Sequence, residues 1–315
     1  MNIITKADKK RRRVAAIGMW DGVHRGHRFL IDYLLLEAGN RGLTPAVVTF
    51  SDHPKRVVCP EQAPQMLSTL SDRVEALGAA GVVDVIMLTF NERMRRQSAR
   101  KFLERLKKSF GVDTLVVGYN NRFGHERADG LKEYQAIGKE IGLEIVAAPE
   151  YKGIGEESVS SSKIREKLYS GQVEDAARML GRPYSLRGIV VEGKHLGRTI
   201  GFPTANLRST SGMALIPGSG VYAAFVTTPD GVRRPAVVNI GIRPTVDNSD
   251  EAASPELSVE IHIPGFTGYL YDDELLLEFI HRLRDERRFE TLDDLRQAIS
   301  LDVSETLRRL AADIK

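Results

Sequence analysis

The first half of the chain alternates short apolar runs with longer segments whose apolar residues recur at helical spacing. This alternation predicts a parallel sheet with helices on its faces. Ligands of such sheets bind beyond the carboxyl ends of the strands, so the loops after Ile17, Phe50 and Val117 are where we expect a site. The predicted strands are Val14–Ile17, Pro45–Phe50, Val82–Leu88, Thr114–Val117 and Glu144–Ala148, and the predicted helices are Arg28–Ala38, Thr69–Ala80, Ala99–Phe110 and Gly130–Ile141.

Between residues 149 and 184 the pattern predicts a loop followed by two short helices. The first helix begins near Lys163 and the second ends at Gly181. Gly181 followed by Pro183 is a strong helix stop. We therefore predict a domain boundary there, which gives domains of residues 1–182 and 183–315.

Beyond this boundary the pattern changes to short β-forming runs separated by Gly, Pro and Asp turns. The runs SLRGIVVEG, GVYAAFVTTPDG, RRPAVVNIG and LSVEIHIPGF predict a small antiparallel barrel or sandwich. The tail, Thr291–Ile314, is predicted to be a helix with an apolar stripe of Leu292, Leu295, Ile299, Val303, Leu307 and Leu310. The predicted fold class is an α/β domain followed by a β domain with a terminal helix.

Composition narrows the class of protein. A chain of 315 residues suits two domains, and 42% hydrophobic with 28% charged residues is typical of a soluble globular protein. The net charge of +3 is too small to indicate a nucleic-acid partner, and no apolar stretch approaches the length of a membrane span. The single cysteine, Cys59, excludes an intrachain disulfide and fits a reducing compartment.

The basic run Lys6–Arg13 precedes an apolar run too short for a signal peptide, so we expect a solvent-exposed N-terminal arm. Together these observations predict a cytoplasmic protein that binds neither nucleic acid nor membrane. They predict nothing about its oligomeric state.

The loop after the first predicted strand, GMWDGVHRGH at residues 18–27, combines glycines with two histidines. A glycine-rich turn into a helix presents backbone N–H groups and a positive helix end to an anion. His24 and His27 are three residues apart, so both imidazoles can face one ligand and stabilise charge on a phosphate in transfer. Zinc fits poorly because no third ligand group accompanies them. The simpler alternative is that both histidines cap the helix.

Two later segments of this half also have paired interpretations. SVSSSKIR, residues 158–165, places hydroxyl groups, Lys163 and Arg165 in a first helical turn. Such a turn suits either a plain helix cap or a phosphate cradle, and the residues alone favour the cap. VVGYNNRFGHER, residues 116–127, interleaves aromatic, amide and basic groups, which suits either the recognition of a base or an ordinary polar turn.

A glycine-rich stretch of the second half, GKHLGRTIGFPTANL at residues 193–207, contains Thr204 and Asn206. Side chains two apart on an extended segment point the same way, and their oxygen atoms suit Mg²⁺ carried with a nucleotide. A simple turn is the alternative. The overlapping GIVVEGKH matches a phosphate-binding loop only as far as Lys194, because His195 stands where Ser or Thr should hold the metal, and we reject it.

The run LSVEIHI, residues 257–263, alternates apolar and polar positions. Glu260 shares the polar face with Ser258 and His262. Alternation by itself does not separate a solvated carboxylate from a general base.

Three of these segments and the later stretch LRDERRF, residues 283–289, occur together, and in this order, in one family. The chain closely resembles the bacterial bifunctional riboflavin kinase/FMN adenylyltransferases, also called prokaryotic FAD synthetases, from about Val14 to the last helix. The family motif G-x-F-D-G-x-H-x-G-H is GMWDGVHRGH here, with Trp20 in place of Phe, and the other motifs are SSSKIR, GFPTAN and LRDERRF. Four motifs in order over two domains make the resemblance specific.

For the N-terminal domain the resemblance implies a Rossmann-like nucleotidyltransferase. His24 and His27 would lie at the phosphates of ATP, Asp21 would shape the loop, and Ser161 with Arg165 would hold the β- and γ-phosphates. The phosphate of FMN would attack the α-phosphorus directly, so catalysis would need positioning and charge stabilisation rather than a protein nucleophile. The other residues implied in ATP or flavin binding are Gly18, Gly22, Gly26, Asn120 and Ser162.

For the C-terminal domain the resemblance implies a small antiparallel barrel of the flavokinase type. Thr204 and Asn206 would ligate the Mg²⁺ of ATP, and Glu260 would take the proton from the 5′-hydroxyl of riboflavin as it attacks the γ-phosphate. The implied small molecules are therefore riboflavin, FMN and ATP, with Mg²⁺. The other residues implied in binding are Gly193, Gly201, Pro203 and Arg284.

The chain departs from the family pattern in two places. The loop usually written G-x-D-F-x-F-G is GYNNRFG, so Asn121 replaces an aromatic residue that could stack on a ring. Gly265, Tyr269 and Asp272 also differ from the family pattern and lie outside its motifs. Two alternative functions remain open: a chain with one active domain, and a nucleic-acid binder, which predicts salt-sensitive polyanion binding without ATP turnover.

Overall fold

The computed structural model describes residues 1–118, 123, 130–153, 155, 158–193, 197, 200–210, 214–242 and 257–311. They form two compact units, the first made of Met1–Gln65 with Thr69–Ser160 and the second of Met66–Ser68 with Ser161–Lys315. The two helices that precede residue 183 thus pack with the second unit. As a functional boundary, the position after residue 182 stays a prediction.

The first unit is built on a six-stranded parallel sheet in the order β1-β4-β3-β2-β5-β6. Its direction of winding reverses between β2 and β5, which is where ligands bind in open α/β sheets. The predicted parallel sheet is confirmed, and β1 is an addition that was too short to be predicted from its pattern. The strands are β1 (Asn2–Ile4), β2 (Arg13–Ile17), β3 (Thr44–Phe50), β4 (Asp84–Leu88), β5 (Val112–Val117) and β6 (Glu144–Ala147).

Helices cover both faces of this sheet. Successive side chains of β2 point to opposite faces, so Ala15 and Ile17 pack against α5 and α6, whereas Val14 and Ala16 pack against α1 and α3. The helices are α1 (Arg25–Arg41), α2 (Lys55–Val58), α3 (Leu70–Ala79), α4 (Glu92–Arg95), α5 (Ala99–Phe110) and α6 (Leu131–Ile141).

The expected solvent-exposed arm is only partly correct, because its last residue is buried. Arg13 begins β2 with 1% of its surface exposed, and its Nε donates to Oδ2 of Asp84 at 2.8 Å. Its Nη1 donates to the carbonyl of Phe110 at 2.6 Å. Asp84 also accepts from Asn2 of β1 at 2.8 Å, so this ion pair joins the added strand to the amino end of the sheet.

The second unit is a closed six-stranded barrel in the order β10-β11-β8-β7-β12-β9, with antiparallel pairing throughout. Of the two predicted architectures, the antiparallel barrel is therefore confirmed and the sandwich is wrong. Helix α8 packs on β7 and β12, and α9 packs on β9 and β10. The elements are α7 (Ser161–Tyr169), α8 (Val173–Leu180), β7 (Tyr184–Val191), β8 (Ala205–Ser209), β9 (Gly220–Thr227), β10 (Arg233–Ile242), β11 (Leu257–His262), β12 (Glu274–Arg284) and α9 (Leu292–Leu310).

The buried face of α9 differs from the predicted apolar stripe. Leu292 and Leu307 are 62% and 40% exposed, whereas Asp302 and Thr306 are buried. An aspartate can face the barrel here because Arg284 on β12 donates to both of its carboxylate oxygens. The ion pair with Arg284 thus keeps Asp302 on the buried face of α9. The spacing of hydrophobic residues along the helix does not report such a pair.

Candidate active sites

The loop after β2 in the first unit is held in unusual backbone conformations. Trp20 and Val23 have φ angles of 56° and 39°, a region that side chains other than glycine rarely adopt, and Gly22 between them has φ 76°. Trp20 is fully buried, and its Nε1 donates to the carbonyl of Val48 at 3.2 Å. Strain of this kind concentrates at functional sites. The hydrogen bond from Trp20 therefore fixes the loop against β3.

Helix α1 begins directly after this loop, and its two histidines have different roles. The Nδ1 of His24 accepts from the backbone N–H of His27 at 3.3 Å, so His24 is the N-cap of the helix. In the neutral ring of His24 the proton therefore resides on Nε2. The two imidazole rings stack with centroids 3.6 Å apart and planes inclined by 15°. His24 thus caps the helix, as the simpler alternative predicted, but His27 does not. The imidazole of His27 is instead stacked against that of His24.

His27 lies in an environment that disfavours its protonated form. Its Nδ1 is buried and has no hydrogen-bond partner among the described residues. Burial, followed by the charge of the adjacent His24, holds the pKa of His27 well below its usual value of 6.5. The imidazole of His27 is therefore held in its neutral form beside His24.

The other predicted residues of this loop lie around the histidine pair. Asp21 and Gly22 are buried in the short 3₁₀ turn Asp21–Val23 that precedes α1. A Cβ on Gly26 would lie 3.3 Å from the ring of His24, which leaves little room for a larger residue. Gly18 follows β2, and its N–H donates to the carbonyl of Val48 at 3.0 Å.

The remaining predicted residues of the adenylyltransferase site lie elsewhere in the chain. Ser161, Ser162 and Arg165 occupy the first two turns of α7, in the second unit, with Arg165 buried and Ser162 exposed. Asn120, like Asn121, lies outside the described residues. The contribution of these four to the histidine site stays a prediction.

The second unit contains a cavity of about 330 Å³ between α9 and the outer face of the barrel. Its size falls within the range of small-molecule sites. Glu260 and His262 line it from β11, which confirms that the polar face of that strand points away from the barrel interior. Much of the remaining wall is apolar and includes Phe202, Phe289 and Leu295. The polar residues of the lining include Thr204, Asn239, Arg284, Glu286 and Asp302.

Glu260 stands between two asparagines on neighbouring strands. It is directly opposite Asn206 on β8 and directly opposite Asn239 on β10. Residues that face each other across antiparallel strands point to the same side of the sheet, so the three polar side chains form one row. A Cβ on Gly193 would lie 2.0 Å from Nδ2 of Asn206, so only glycine permits this position of the asparagine.

The loop that contains Thr204 is fixed by contacts to β11. The Nδ1 of His262 donates to the carbonyl of Pro203 at 2.9 Å, and the rings of His262 and Phe202 meet edge to face at 5.3 Å. Gly201 begins this approach with φ 86°. These contacts place Thr204 at the cavity, next along the chain to the strand that contains Asn206.

Arg284, predicted to bind a substrate, has a protein partner at the cavity wall. Its Nη2 and Nε donate to Asp302 at 2.7 and 3.0 Å, and its guanidinium lies 5.7 Å from the ring centroid of Phe289. The pattern analysis missed Asp302 and Asn239. The signal for Asn239 was present, since a lone amide interrupts the apolar run AVVNIG, but nothing in the sequence pairs Arg284 with Asp302.

Comparison with known proteins relates both units to flavin-cofactor enzymes. The family model for FAD synthetase matches residues 6–163, and the model for riboflavin kinase matches residues 180–310. The bifunctional riboflavin kinase/FMN adenylyltransferase of Pseudomonas fluorescens is 38% identical to this chain over 95% of its length and 93% of the relative. The chain belongs to the bifunctional riboflavin kinase/FMN adenylyltransferase family. A relative of the same name in Haemophilus influenzae is 34% identical over 91% of both chains.

One solved structure shares the fold over nearly all of this family member. It is described as a macrolide-efflux protein from Streptococcus pneumoniae, covers 96% of this chain and 97% of its own, and matches with a TM-score of 0.85 at 27% identity. Within the described part of the present chain, no helix is both long and apolar enough to cross a membrane.

The residues available for a metal in this family member are oxygen donors. Among the residues that the structure describes, no group of three His, Cys, Asp or Glu side chains is placed to hold a metal ion. Thr204 and Asn206 instead offer a hydroxyl and an amide beside the carboxylate of Glu260. Such hard oxygen atoms fit Mg²⁺ that arrives with nucleotide phosphates and keeps several of its own waters.

Proposed function

We propose that the chain converts riboflavin to FMN in its second unit and FMN to FAD in its first, using ATP in both reactions. Membership of the family supports the pair of activities. The observation that supports the residue assignment is the row Asn206–Glu260–Asn239, in which Glu260 and Asn239 line a cavity of suitable size and Asn206 stands opposite Glu260 on the next strand.

In the kinase reaction Glu260 acts as the general base. Riboflavin lies with its isoalloxazine ring against the apolar wall formed by Phe202, Phe289 and Leu295, and its ribityl chain extends to the polar row. Glu260 accepts the proton of the 5′-hydroxyl as that oxygen attacks the γ-phosphorus of ATP. Asn239, directly opposite, holds the carboxylate or the hydroxyl in place.

Thr204 and Asn206 would hold Mg²⁺, which would supply positive charge to the transferred phosphate. A second cavity of about 100 Å³ shares Thr204 with the first. Its walls are largely apolar and include Phe266, Tyr269 and Tyr271. We assign the adenine of ATP to this smaller cavity, because the triphosphate would then extend past Thr204 towards Glu260.

In the adenylyl transfer reaction the stacked histidines bind ATP. The amino end of α1, which begins directly after the strained loop, favours an anion at this place. His24 donates from Nε2, and the neutral imidazole of His27 is stacked against it. The phosphate of FMN displaces pyrophosphate from the α-phosphorus, and the family resemblance assigns the outer phosphates to Ser161 and Arg165.

The flavin of this second reaction has a candidate cavity in the first unit. A space of about 720 Å³ lies beyond the carboxyl ends of β3 and β4, and its lining combines Leu88 and Met94 with Arg93, Lys101 and Arg105. Apolar and cationic groups together suit a flavin ring and its phosphate. The burial of Arg13 beside Asp84 weakens the nucleic-acid alternative, since this cation is not available to a polyanion.

The test uses two substrates and matched variants. Glu260→Gln should abolish formation of FMN from riboflavin but leave the conversion of supplied FMN to FAD intact, and His27→Asn should do the reverse. Glu278→Gln is the control, because Glu278 is a barrel glutamate that pairs with Arg233 outside the cavity. Full kinase activity in Glu260→Gln would refute the assignment of the base. Chelation of Mg²⁺ is also expected to stop the kinase reaction. The cytoplasmic location is a separate prediction from the sequence.

A further inference from the structure

Arg73 on α3 is a buried cation with an incomplete set of partners. It is 1% exposed, although it lies on a helix that packs at the edge of the candidate nucleotide site. Its Nη1 donates to the carbonyl of Met19 and its Nη2 to the carbonyl of Phe50, each at 2.9 Å. Its Nε has no partner among the described residues. Burying a guanidinium is costly unless it is fully paired, so this arrangement calls for a functional reason.

The two carbonyl groups that Arg73 binds lie at the carboxyl ends of two neighbouring strands, where the chain enters its loops. Met19 precedes Trp20 in the loop after β2, and Phe50 is the last residue of β3. Strands β2 and β3 are neighbours in the sheet, so one side chain joins the loops that leave their carboxyl ends. Thr49 adds a second donor to the carbonyl of Met19, at 3.3 Å.

Charges in these two loops also act on Arg73. Burial lowers its pKa, whereas the carboxylates of Asp21 and Asp52 raise it. Asp21 follows Trp20, and Asp52 lies two residues beyond Phe50. The guanidinium therefore interacts electrostatically with one acidic residue in each loop. It also binds one carbonyl group at the start of each loop or at the end of the strand before it.

The loop that Arg73 holds is the strained one. Trp20, Gly22 and Val23 all have positive φ angles, and such conformations persist only where the surroundings impose them. The hydrogen bond from Arg73 ends on the carbonyl that immediately precedes this run. A small relaxation of the loop would move the start of α1 and with it the stacked pair of His24 and His27.

We propose that Arg73 is a positioning residue for adenylyl transfer, which fixes the loop so that the histidine pair meets the phosphates of ATP. The proposal rests on the adenylyl transfer proposed above. Arg73 touches neither the reacting atoms nor a substrate, and it acts through Met19 and Phe50. Lysine cannot replace it fully, because a single ammonium cannot bridge two carbonyl groups as a planar guanidinium does.

Arg13 offers a matched control within the same unit. It is also 1% exposed, but it lies at the amino end of β2 and binds Asp84 and the carbonyl of Phe110, away from the loops. Substituting either arginine by lysine disturbs a buried cation. Only the change at Arg73 should then disturb the nucleotide site.

The experiment compares full-length Arg73→Met, Arg73→Lys and Arg13→Lys. The rate constant for FMN to FAD is measured in a single turnover with protein and ATP in excess, together with the KM for ATP and the riboflavin kinase rate of the same sample. The fluorescence of Trp20 defines a temperature at which each variant is folded. With Arg73→Met we expect the single-turnover rate constant to fall about 100-fold, the effect of misplacing catalytic groups by about 1 Å, while the KM for ATP changes little. Arg73→Lys should recover part of this loss, and the kinase rate should not change.

A purely structural role predicts a different result. Folded Arg73→Met would then keep the wild-type rate constant, or Arg13→Lys would slow the reaction as much as Arg73→Lys, and either outcome would overturn the proposal. If Arg73→Met does not fold, the comparison of the two lysine variants decides. A wild-type chain that makes no FAD from FMN and ATP would instead refute the proposed function itself.

Discussion

The low pKa of His27 predicts that the first unit loses stability in mild acid. His27 is packed against Trp20 and His24, and its buried Nδ1 has no hydrogen-bond partner in the part of the chain that the structure describes. In the unfolded chain the same imidazole titrates near pH 6.5. Burial and the neighbouring His24 hold the pKa of His27 in the folded protein well below that value. In mild acid the unfolded chain therefore binds a proton at His27 that the folded protein does not bind.

The size of the effect follows from proton linkage. Stability changes by about 1.4 kcal/mol per pH unit for one proton bound only in the unfolded state. Above pH 6.5 the contribution of His27 is fully present, and it is lost as the pH falls towards the folded pKa. Between pH 7.5 and 5.5 the free energy of unfolding of the first unit should therefore fall by up to about 1.4 kcal/mol through His27 alone.

The chain provides its own probe for this measurement. Trp20 is the single tryptophan, it is fully buried, and its ring lies 5.2 Å from that of His27. Its fluorescence during urea unfolding reports the first unit even if the second unfolds separately. Unfolding would be measured at both pH values for the wild type and for His27→Asn.

The difference between variants isolates the single proton. The loss of stability on acidification should be smaller in His27→Asn than in the wild type, by up to about 1.4 kcal/mol. An equal loss in His27→Asn and the wild type would refute the reasoning, because it would show that His27 accepts a proton as readily in the folded protein as in the unfolded chain.

Three further substitutions test the packing on which the sites rest. Asp84→Ala should destabilise the first unit by about 3 kcal/mol, because it removes the carboxylate paired with the buried Arg13, and Trp20 fluorescence would follow the change. Gly193→Ala should lower the riboflavin kinase rate by about tenfold or more, since the new Cβ displaces Asn206, without affecting the adenylylation of supplied FMN. Tyr184→Phe should cost the second unit about 1–2 kcal/mol in calorimetry, because the buried carbonyl of Leu215 loses its 2.6 Å hydrogen bond.

Matched controls separate these effects from general disturbance. Asp113→Ala breaks a surface pair with Arg12 and should change stability by less than about 1 kcal/mol. Gly39→Ala adds a methyl group where nothing lies within 4 Å and should leave the kinase rate unchanged. A similar loss in Asp84→Ala and Asp113→Ala, or in Gly193→Ala and Gly39→Ala, would contradict the account. So would a Tyr184→Phe variant as stable as the wild type.

Local patterns were sufficient where structure depends on neighbours in the sequence. Strands β2 to β6 of the first sheet, the glycine-rich turn into α1 and the polar face of β11 were all predicted, because period and turn chemistry encode them within a few residues. The capping role of His24 belongs to the same class, since it reaches only as far as His27. The strand β1 was missed because three residues carry no measurable period.

Contacts between distant residues were not predictable in the same way. Arg73 meets Met19 across 54 positions of the chain, and Arg284 meets Asp302 across 18. A buried charge follows no hydrophobic period, and the predicted stripe of α9 therefore placed Leu307 rather than Asp302 against the barrel. The row formed by Asn206, Glu260 and Asn239 likewise depends on the register of three strands.

The most direct test of the central claim is a time course of the flavins. The purified chain is incubated with riboflavin, ATP and Mg²⁺, and the flavins are separated at intervals. We predict that FMN forms first and then declines as FAD accumulates, with pyrophosphate released in step with FAD. Riboflavin that stays unconverted under oxidising and reducing conditions would contradict the kinase assignment, and FMN that accumulates without FAD would contradict the assignment of the histidine site.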